Sequence, residues 1–541
     1  MLKTIPGKSF TWTAVDEFPP EALARIEELV RGPVIDPSVP LIKDNNVRSS
    51  FFFDTGVPGC PRLFVKWFKK PEPAQRIKHL FVPSKALAEW RNLRVLEERG
   101  LPCSRALAFF ETRFAGMLSR SCLITQCIDG AGALNRFGGL AQLPAAQRFA
   151  LARQLGRLSA SMHAAGMISR DFHAGNVVIR PTAGGGFELF LIDLHSAKLL
   201  KKPAPARIIT DLAKLANSIP ASRSMRLRFL QEYCQCAPVP GMGMRECVRR
   251  ISAEAERLEE RRIKSRSRRC VLKSSAFEVS RTLTERYCGR RDFGHAAARE
   301  IVGRHPGPGG QPDAVIKQSS KSTLTRHVLP SGEALCVKEY RYRGALYALA
   351  SLLFRSRALK SWRAANGLAV RGLQTPRPLA MVEKRLGPLV LGSYYICRWE
   401  GLAPELNTYI RKRGWTESEK KNFMRSLART IAGLHAAGVY HGDLKSNNIL
   451  VRENDHSWDF LFVDLDRVSF SRPLTFERRA NNLAQINASV AAVITLRDRL
   501  RFFRIYARLS ACYTDRARYY RRILEISRGK NTAPYGLQCG R

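Results

Sequence analysis

The sequence is short of acid. Against 90 lysines and arginines stand only 46 aspartates and glutamates, a formal charge of +44 over 541 residues. That exceeds what solubility requires and points to an anionic partner. Nucleic acid, an acidic membrane surface and a phosphorylated glycolipid all fit. No zinc-finger, RNP or comparable module is present, and the basic residues are spread along the chain, which makes nucleic acid an unlikely partner. No run of about 18 apolar residues could span a bilayer, and the N-terminus MLKTIPGKSFTWTAVDEF lacks the apolar core of a secretory signal. A protein made and kept inside the cell is expected. The 13 cysteines include no CxxC pairs at zinc spacing; Cys234 and Cys236 have no matching pair, so reduced, structural thiols are expected.

What is there is an ordinary globular composition, 45% hydrophobic and 25% charged, in a chain longer than one core usually organises. The stretch GRHPGPGGQPD at 303–313 reads as a linker. On either side of it the chain repeats. SKALAEWRNLRVLEERGL from Ser84 lines up with SRALKSWRAANGLAVRGL from Ser356, and the same shift carries Lys66 onto Lys338, the HAAG at His163 onto that at His435, Asp171 onto Asp443 and Asn176 onto Asn448. Asp193 and Asp464, and the RLRF at Arg226 and Arg499, keep this register to within one residue. The expected organisation is a first copy over 1–302 with a solvated, Arg-rich helical extension at about 245–302, the linker, and a second copy over 314–541. Each copy is predicted to run from a strand centred on a lysine (63–68, 335–340) to a helix ending near Gly100 or Gly372. A second helix follows, with apolar residues at steps of three and four (Leu151, Leu155, Leu158, Met162; Phe423, Leu427, Ile431, Leu434), and then a hairpin that delivers an aspartate. His163 and His435, at the end of that apolar stripe, are expected to be buried structural histidines.

The first copy reads SRDFHAGNVVI from Ser169 and FLIDLH ending at His195; the second reads HGDLKSNNILV from His441 and FLFVDLD ending at Asp466. An Asp, an Asn five residues on, and an Asp after a hairpin resemble the catalytic loop and metal-binding aspartate of the protein-kinase-like superfamily. The resemblance implies an α+β class: two tandem bilobal domains, each a small β-rich N-lobe and a helical C-lobe. It implies ATP and Mg2+. Asp171 and Asp443 would orient or accept the proton of the acceptor hydroxyl. Asn176 with Asp193, and Asn448 with Asp464, would hold magnesium, Lys66 and Lys338 would grip the nucleotide phosphates, and Lys445 would add charge beside the transferred group. A Gly-rich GxGxxG loop is missing from both copies; IKDNNVRSSFF at 42 and IKQSSKSTLTR at 316 would have to cover the nucleotide. No Ala-Pro-Glu-like motif follows Asp193 or Asp464, and the next helices are expected near Asp211 and Asn482, so an extended peptide has no platform and a small-molecule or glycolipid hydroxyl is the better acceptor.

Within that superfamily the chain resembles the bacterial lipopolysaccharide kinases, the Kdo and heptose kinases called WaaP-like. The likeness is carried by VKWFKK at Val65, EWRNL at Glu89 with GLPCSRALA after it, SWRAANGL at Ser361 with GLQTPRPLA after it, the two loops, and DLAKLANS and NLAQINAS with RLRF. It covers most of 40–235 and 314–510. It implies phosphorylation of a sugar in the lipopolysaccharide core by a cytoplasmic protein, peripheral on the inner face of the inner membrane, where core saccharide and bilayer surface are both anionic. The apolar stretch 345–354, flanked by Arg341, Arg343, Arg355 and Arg357, could lie on that membrane or be an ordinary buried helix. Two positions depart from the kinase pattern: Ser169 stands where the loop usually begins with His, and Ser361 where Glu89 would pair the strand lysine. At least one site is expected to transfer phosphate. Alternatives are a pseudokinase pair acting as a membrane-bound scaffold or regulator, a protein Ser/Thr kinase, and a nucleic-acid-binding protein.

Overall fold

The computed structural model describes residues 2–30, 39–45, 47–137, 142–305, 315–341, 345–401, 403–455, 457–510 and 514–529. The chain divides into two compact units, Met1–Glu260 and Arg261–Arg541. Each opens with a seven-stranded antiparallel sheet. In spatial order the first sheet is Leu2–Pro6, Thr11–Val15, Ala106–Phe114, Met117–Gln126, Leu63–Phe68, Arg48–Phe53 and Leu41–Asp44. The second is Phe277–Arg281, Glu285–Arg290, Pro378–Leu386, Leu389–Arg398, Ala334–Arg341, Ser322–Val328 and Val315–Gln318, the same order.

That order corrects the expected domain boundary. Residues 277–304 do not extend the first copy. Phe277–Arg281 and Glu285–Arg290 form a hairpin whose second strand pairs with Pro378–Leu386, from Glu285↔Lys384 to Gly289↔Ala380. They are the counterparts of the N-terminal hairpin, and the helix His295–Arg304 follows them as Pro20–Val30 follows the first. The Gly/Pro stretch lies mostly outside the described residues, and it falls between that helix and Val315–Gln318, within the second unit. The Arg-rich segment forms one helix, Met244–Arg268, within which the division of the chain falls.

The predicted elements otherwise form near their expected places, for local reasons. Ser84 and Ser356 cap their helices, accepting hydrogen bonds from the amides of Leu87 (3.0 Å) and Leu359 (3.1 Å). The first of these helices, Lys85–Glu98, buries Ala86, Glu89, Trp90, Leu93 and Leu96, one face at helical spacing, against the sheet. Gly100 and Gly372 take positive φ, which ends each helix at little cost. The helices Ala145–Ala164 and Glu417–Ala436 bury the predicted apolar stripes, each leucine contributing about 1.5–3 kcal/mol. The next helices begin at Pro205 and Phe476, earlier than expected and only 12 residues after Asp193 and Asp464.

His163 and His435 are buried and structural, as expected. The Nδ1 of His163 bonds the Tyr233 hydroxyl (2.8 Å); that of His435 bonds Tyr506 (2.7 Å), with Asn482 Oδ1 on its Nε2 (3.3 Å). Burial lowers the His435 pKa to about 4, despite the support of Asn482. Unfolded, the same imidazole protonates near pH 6.5, so its neutral form favours the fold fully above that pH and the contribution is lost as pH falls toward 4. Between pH 7 and 4.5, urea unfolding should lose about 2–3 kcal/mol more in the natural protein than in a His435→Gln variant.

Candidate active site

In both units the loop expected to be catalytic contains a 3-10 turn and is buttressed by the helix that follows the second aspartate. The first and last residues of the matched motifs DLAKLANS and NLAQINAS supply the buttress. Asp211 Oδ2 accepts the Ser169 amide (2.7 Å) and Ser218 Oγ the Ala174 amide (2.8 Å). In the second unit Asn482 Oδ1 accepts the His441 amide (3.3 Å), Ser489 Oγ the Ser446 amide (2.8 Å), and Gln485 bridges the Leu444 amide and the Gly442 carbonyl. These side chains take up loop amides and carbonyls that a buried turn would otherwise leave without partners.

The loop then closes on itself. Asn176 Nδ2 donates to the Asp171 carbonyl and Asn448 Nδ2 to that of Asp443, both at 2.8 Å. The backbone carbonyls of the two asparagines accept the amides of Ile192 and Val463, both at 3.0 Å, and so fix the strand that presents Asp193 or Asp464. Each aspartate sits in the left-handed region, at φ 58° and 59°, a conformation that asparagine and aspartate tolerate better than most residues. The structure therefore brings Asp171, Asn176 and Asp193 into one hydrogen-bonded assembly, and Asp443, Asn448 and Asp464 into another.

Above these residues stand the strand lysines, with different surroundings in the two units. Lys66 pairs with Glu89 (2.6 Å) and reaches Asp193 (3.4 Å), while Glu89 Oε2 is buried without a hydrogen-bond partner. Lys338 pairs directly with Asp464 (2.6 Å). The place of the absent carboxylate is filled by Ser361, whose hydroxyl bonds Tyr340 (2.8 Å). A carboxylate has instead appeared two residues beyond Asp464: Asp466 takes Arg357 at 2.6 Å, at the positions where the first unit has His195 and Lys85. Burial works against ionisation of Asp464, but Lys338 outweighs it and holds the carboxyl below the ordinary range. Lys445 Nζ lies 3.2 Å from Asp443, and His441 Nε2 bonds the Val463 carbonyl (3.0 Å). Ser169 makes no such bond and turns its hydroxyl to the Asp171 amide (3.2 Å).

Between Lys338, Asn448 and Asp464 lies a cavity of about 460 Å³, roofed by Ile316, Lys317, Ser322 and Leu324 of the terminal hairpin. That hairpin contains the segment expected to replace a glycine-rich loop. In the first unit the equivalent hairpin does something the sequence reading missed. Arg48 forms two parallel hydrogen bonds to Asp193, Nη1 to Oδ1 at 3.0 Å and Nη2 to Oδ2 at 2.9 Å, and His195 Nδ1 adds a third at 3.0 Å. Burial opposes the charge on Asp193, yet Lys66, His195 and Arg48 together hold it far below the usual carboxylate range. Arg48 lies within the quoted segment IKDNNVRSSFF, aligned with Ser322 of IKQSSKSTLTR, so the signal was available in the sequence.

A family model described as "Lipopolysaccharide kinase (Kdo/WaaP) family" matches residues 69–233 and again 345–506, more than half of the chain. The chain belongs to that family. The chain is also similar to a 3-deoxy-D-manno-octulosonic acid kinase of Stenotrophomonas maltophilia strain R551-3, 31% identical over 184 residues, which are 33% of this chain and 66% of that protein. One of Xylella fastidiosa strain M12 is 30% identical over 159 residues, 29% of this chain and 60% of that protein. The match thus spans slightly less than two thirds of the length of these relatives. Among solved structures, WaaP in complex with acyl carrier protein has 23% identity and a TM-score of 0.32, over 44% of this chain and 94% of that one. The Mycobacterium tuberculosis PknI kinase domain has 18% identity and a TM-score of 0.25, over 40% of this chain and 93% of that one. The family carries the expected kinase-like α+β architecture, with a sheet lobe and a helical lobe in each unit.

Asn482→Ala should cost about 2–3 kcal/mol, because it leaves the buried His441 amide and His435 Nε2 without partners. Thermal unfolding measures the loss. Amide exchange should rise selectively over 441–448.

Proposed function

We propose that this protein is an ATP-dependent kinase that phosphorylates a sugar hydroxyl of the lipopolysaccharide core, acting as a peripheral protein on the cytoplasmic face of the inner membrane. The observation that supports it most is the second cleft, where Asp443, Asn448 and Asp464 share one hydrogen-bonded frame beneath Lys338, at a cavity of about 460 Å³. That size falls within the range of small-molecule and cofactor pockets. Asp464 and Asn448 offer the hard oxygen donors that Mg2+ prefers, and the ion, when bound, would neutralise charge on the nucleotide phosphates.

This chain's own residues supply the rest of the chemistry. Lys338 holds the phosphates as a point charge. Asp443 accepts a hydrogen bond from the acceptor hydroxyl, orients its oxygen for in-line attack, and takes its proton as the new O–P bond forms and the bond from the γ-phosphorus to the departing ADP oxygen breaks. Lys445 adds positive charge beside the transferring group. In the first unit the equivalent positions are Asp171, Asn176, Lys66 with its partner Glu89, and Asp193, whose carboxylate is already engaged by Arg48. The 11 residues between each of Asp193 and Asp464 and the next helix leave no room for a peptide platform, which favours a sugar over a protein acceptor.

The peripheral location draws on a feature found in both units. After each lysine strand comes a short helix with exposed apolar side chains. On Pro73–Phe81 these are Ile77, Leu80 and Phe81, the last 87% exposed, with Phe114 at the tip of the adjacent hairpin. On Ala345–Leu353 they are Leu349, Leu352 and Leu353, with Phe354 just beyond. Exposure at these positions argues against the buried-helix alternative for 349–354. No described helix is long and apolar enough to cross a membrane. Paired apolar patches on a chain of charge +44 suit insertion into the headgroup layer of an anionic bilayer.

Two experiments test these points. With γ-labelled ATP, purified protein should label dephosphorylated core lipopolysaccharide and leave a generic protein substrate unlabelled; Asp443→Ala should lower kcat by about 10²–10⁴-fold. Label in the protein substrate alone, or full turnover by the variant, would reject the reading. Replacing Leu352 and Leu353 by Asp should weaken sedimentation with anionic phospholipid vesicles at least about tenfold. Undiminished binding would remove that patch from the membrane.

A further inference from the structure

The two units differ at one position that decides what can sit on the metal aspartate. Arg48 pairs across the sheet with Phe68, two residues past Lys66; Ser322 pairs with Tyr340, two residues past Lys338. The same place in the same hairpin therefore carries a guanidinium in the first unit and a small hydroxyl in the second. Ser322 lines the open cavity. Arg48 instead spans both oxygens of Asp193, and the pair is largely shielded from water, with 14% and 18% of the side chains exposed.

A planar guanidinium with two parallel bonds to one carboxylate is the strongest side-chain substitute for a cation at that position, and it cannot lose its proton. The fixed charges agree with this. Around the first site stand Arg48, Lys66 and Lys85 against Glu89 and Asp193; around the second, Lys338 and Arg357 balance Asp464 and Asp466. At the Asp193 carboxylate itself positive charge already exceeds negative before any ion arrives. A divalent cation there would have to displace Arg48 and raise that surplus further, so Asp193 and Asn176 as arranged do not fit Mg2+.

We infer that the first unit is a metal-independent binding site for the phosphates of a nucleotide, in which the Arg48 guanidinium occupies the position of the divalent ion, while metal-dependent turnover belongs to the second unit. This rests on the reading of the clefts as nucleotide sites. The ligand class is a nucleoside di- or triphosphate free of metal, held by Arg48, Lys66 and Lys85. The site would sense or store nucleotide within an enzyme whose chemistry occurs elsewhere in the chain.

The full-length protein is titrated with a fluorescent ATP analogue in excess EDTA and, separately, with Mn2+ in the presence of a non-hydrolysable ATP analogue. In EDTA one nucleotide per chain should remain bound. Asp464→Asn should not change it, and Arg48→Ser should weaken it at least about tenfold. With Mn2+ the natural protein should bind one ion per chain, lost in Asp464→Asn, and Arg48→Ser should raise the count to two. Two ions per chain in the natural protein, no nucleotide bound in EDTA, or an Arg48→Ser variant that gains no ion and keeps its affinity would each overturn the inference. Transfer to lipopolysaccharide with two ions per chain overturns the inference alone. The expected stoichiometries with no transfer to any glycolipid overturn the proposed function and leave the inference standing.

Discussion

Both halves of the molecule are organised around one partly buried carboxylate. Asp193 and Asp464 leave a hairpin in a left-handed conformation, are partly removed from water, and remain ionised because cations are brought to them from distant parts of the chain. A buried charge without partners is among the most costly things a fold can contain, so the surrounding elements are constrained to deliver lysine, arginine or, in a working nucleotide site, a metal ion. The sheet lobe exists in that place to present the strand lysine, and the helical lobe to hold the loop that meets it.

The two copies meet this constraint differently. In the first, Glu89 on the helix anchors Lys66, and Arg48 closes on Asp193 from the terminal hairpin. In the second, the helix carboxylate has become Ser361, Lys338 turns directly to Asp464, and a new carboxylate, Asp466, anchors Arg357. The loss of Glu89's counterpart therefore does not leave Lys338 without a partner. The number of carboxylates near the second lysine is kept while their positions in sequence change. The departures from the kinase pattern at Ser169 and Ser361 fall into place as parts of two differently wired sites.

Much of this was legible in the sequence because its causes are local or repeated. The Asp-x4-Asn loops and the apolar stripes before HAAG depend on residues close together, and their recurrence at a nearly constant shift excluded coincidence. DLAKLANS and NLAQINAS were recognised as matched segments, but their purpose was not; Asp211, Ser218, Asn482 and Ser489 act on loops some forty residues away. The boundary at 303–313 was misplaced because the N-terminal hairpins of the two sheets share almost no residues. Backbone pairing needs only strand-forming character, so 277–290 and 2–15 can occupy equivalent edges without resembling each other.

By itself the sequence determined the repeat, the order of elements from each lysine strand to the aspartate hairpin, the loop residues that converge on each aspartate, and the excess of positive charge, since each is written in spacing or composition. Only the tertiary structure decided which cation faces which carboxylate. Arg48 and Asp193 are 145 residues apart, Lys338 and Asp464 126, and no periodicity links them. Their pairing follows from the register of two hairpins and the docking of a helix, which side chains distributed over the whole unit set together.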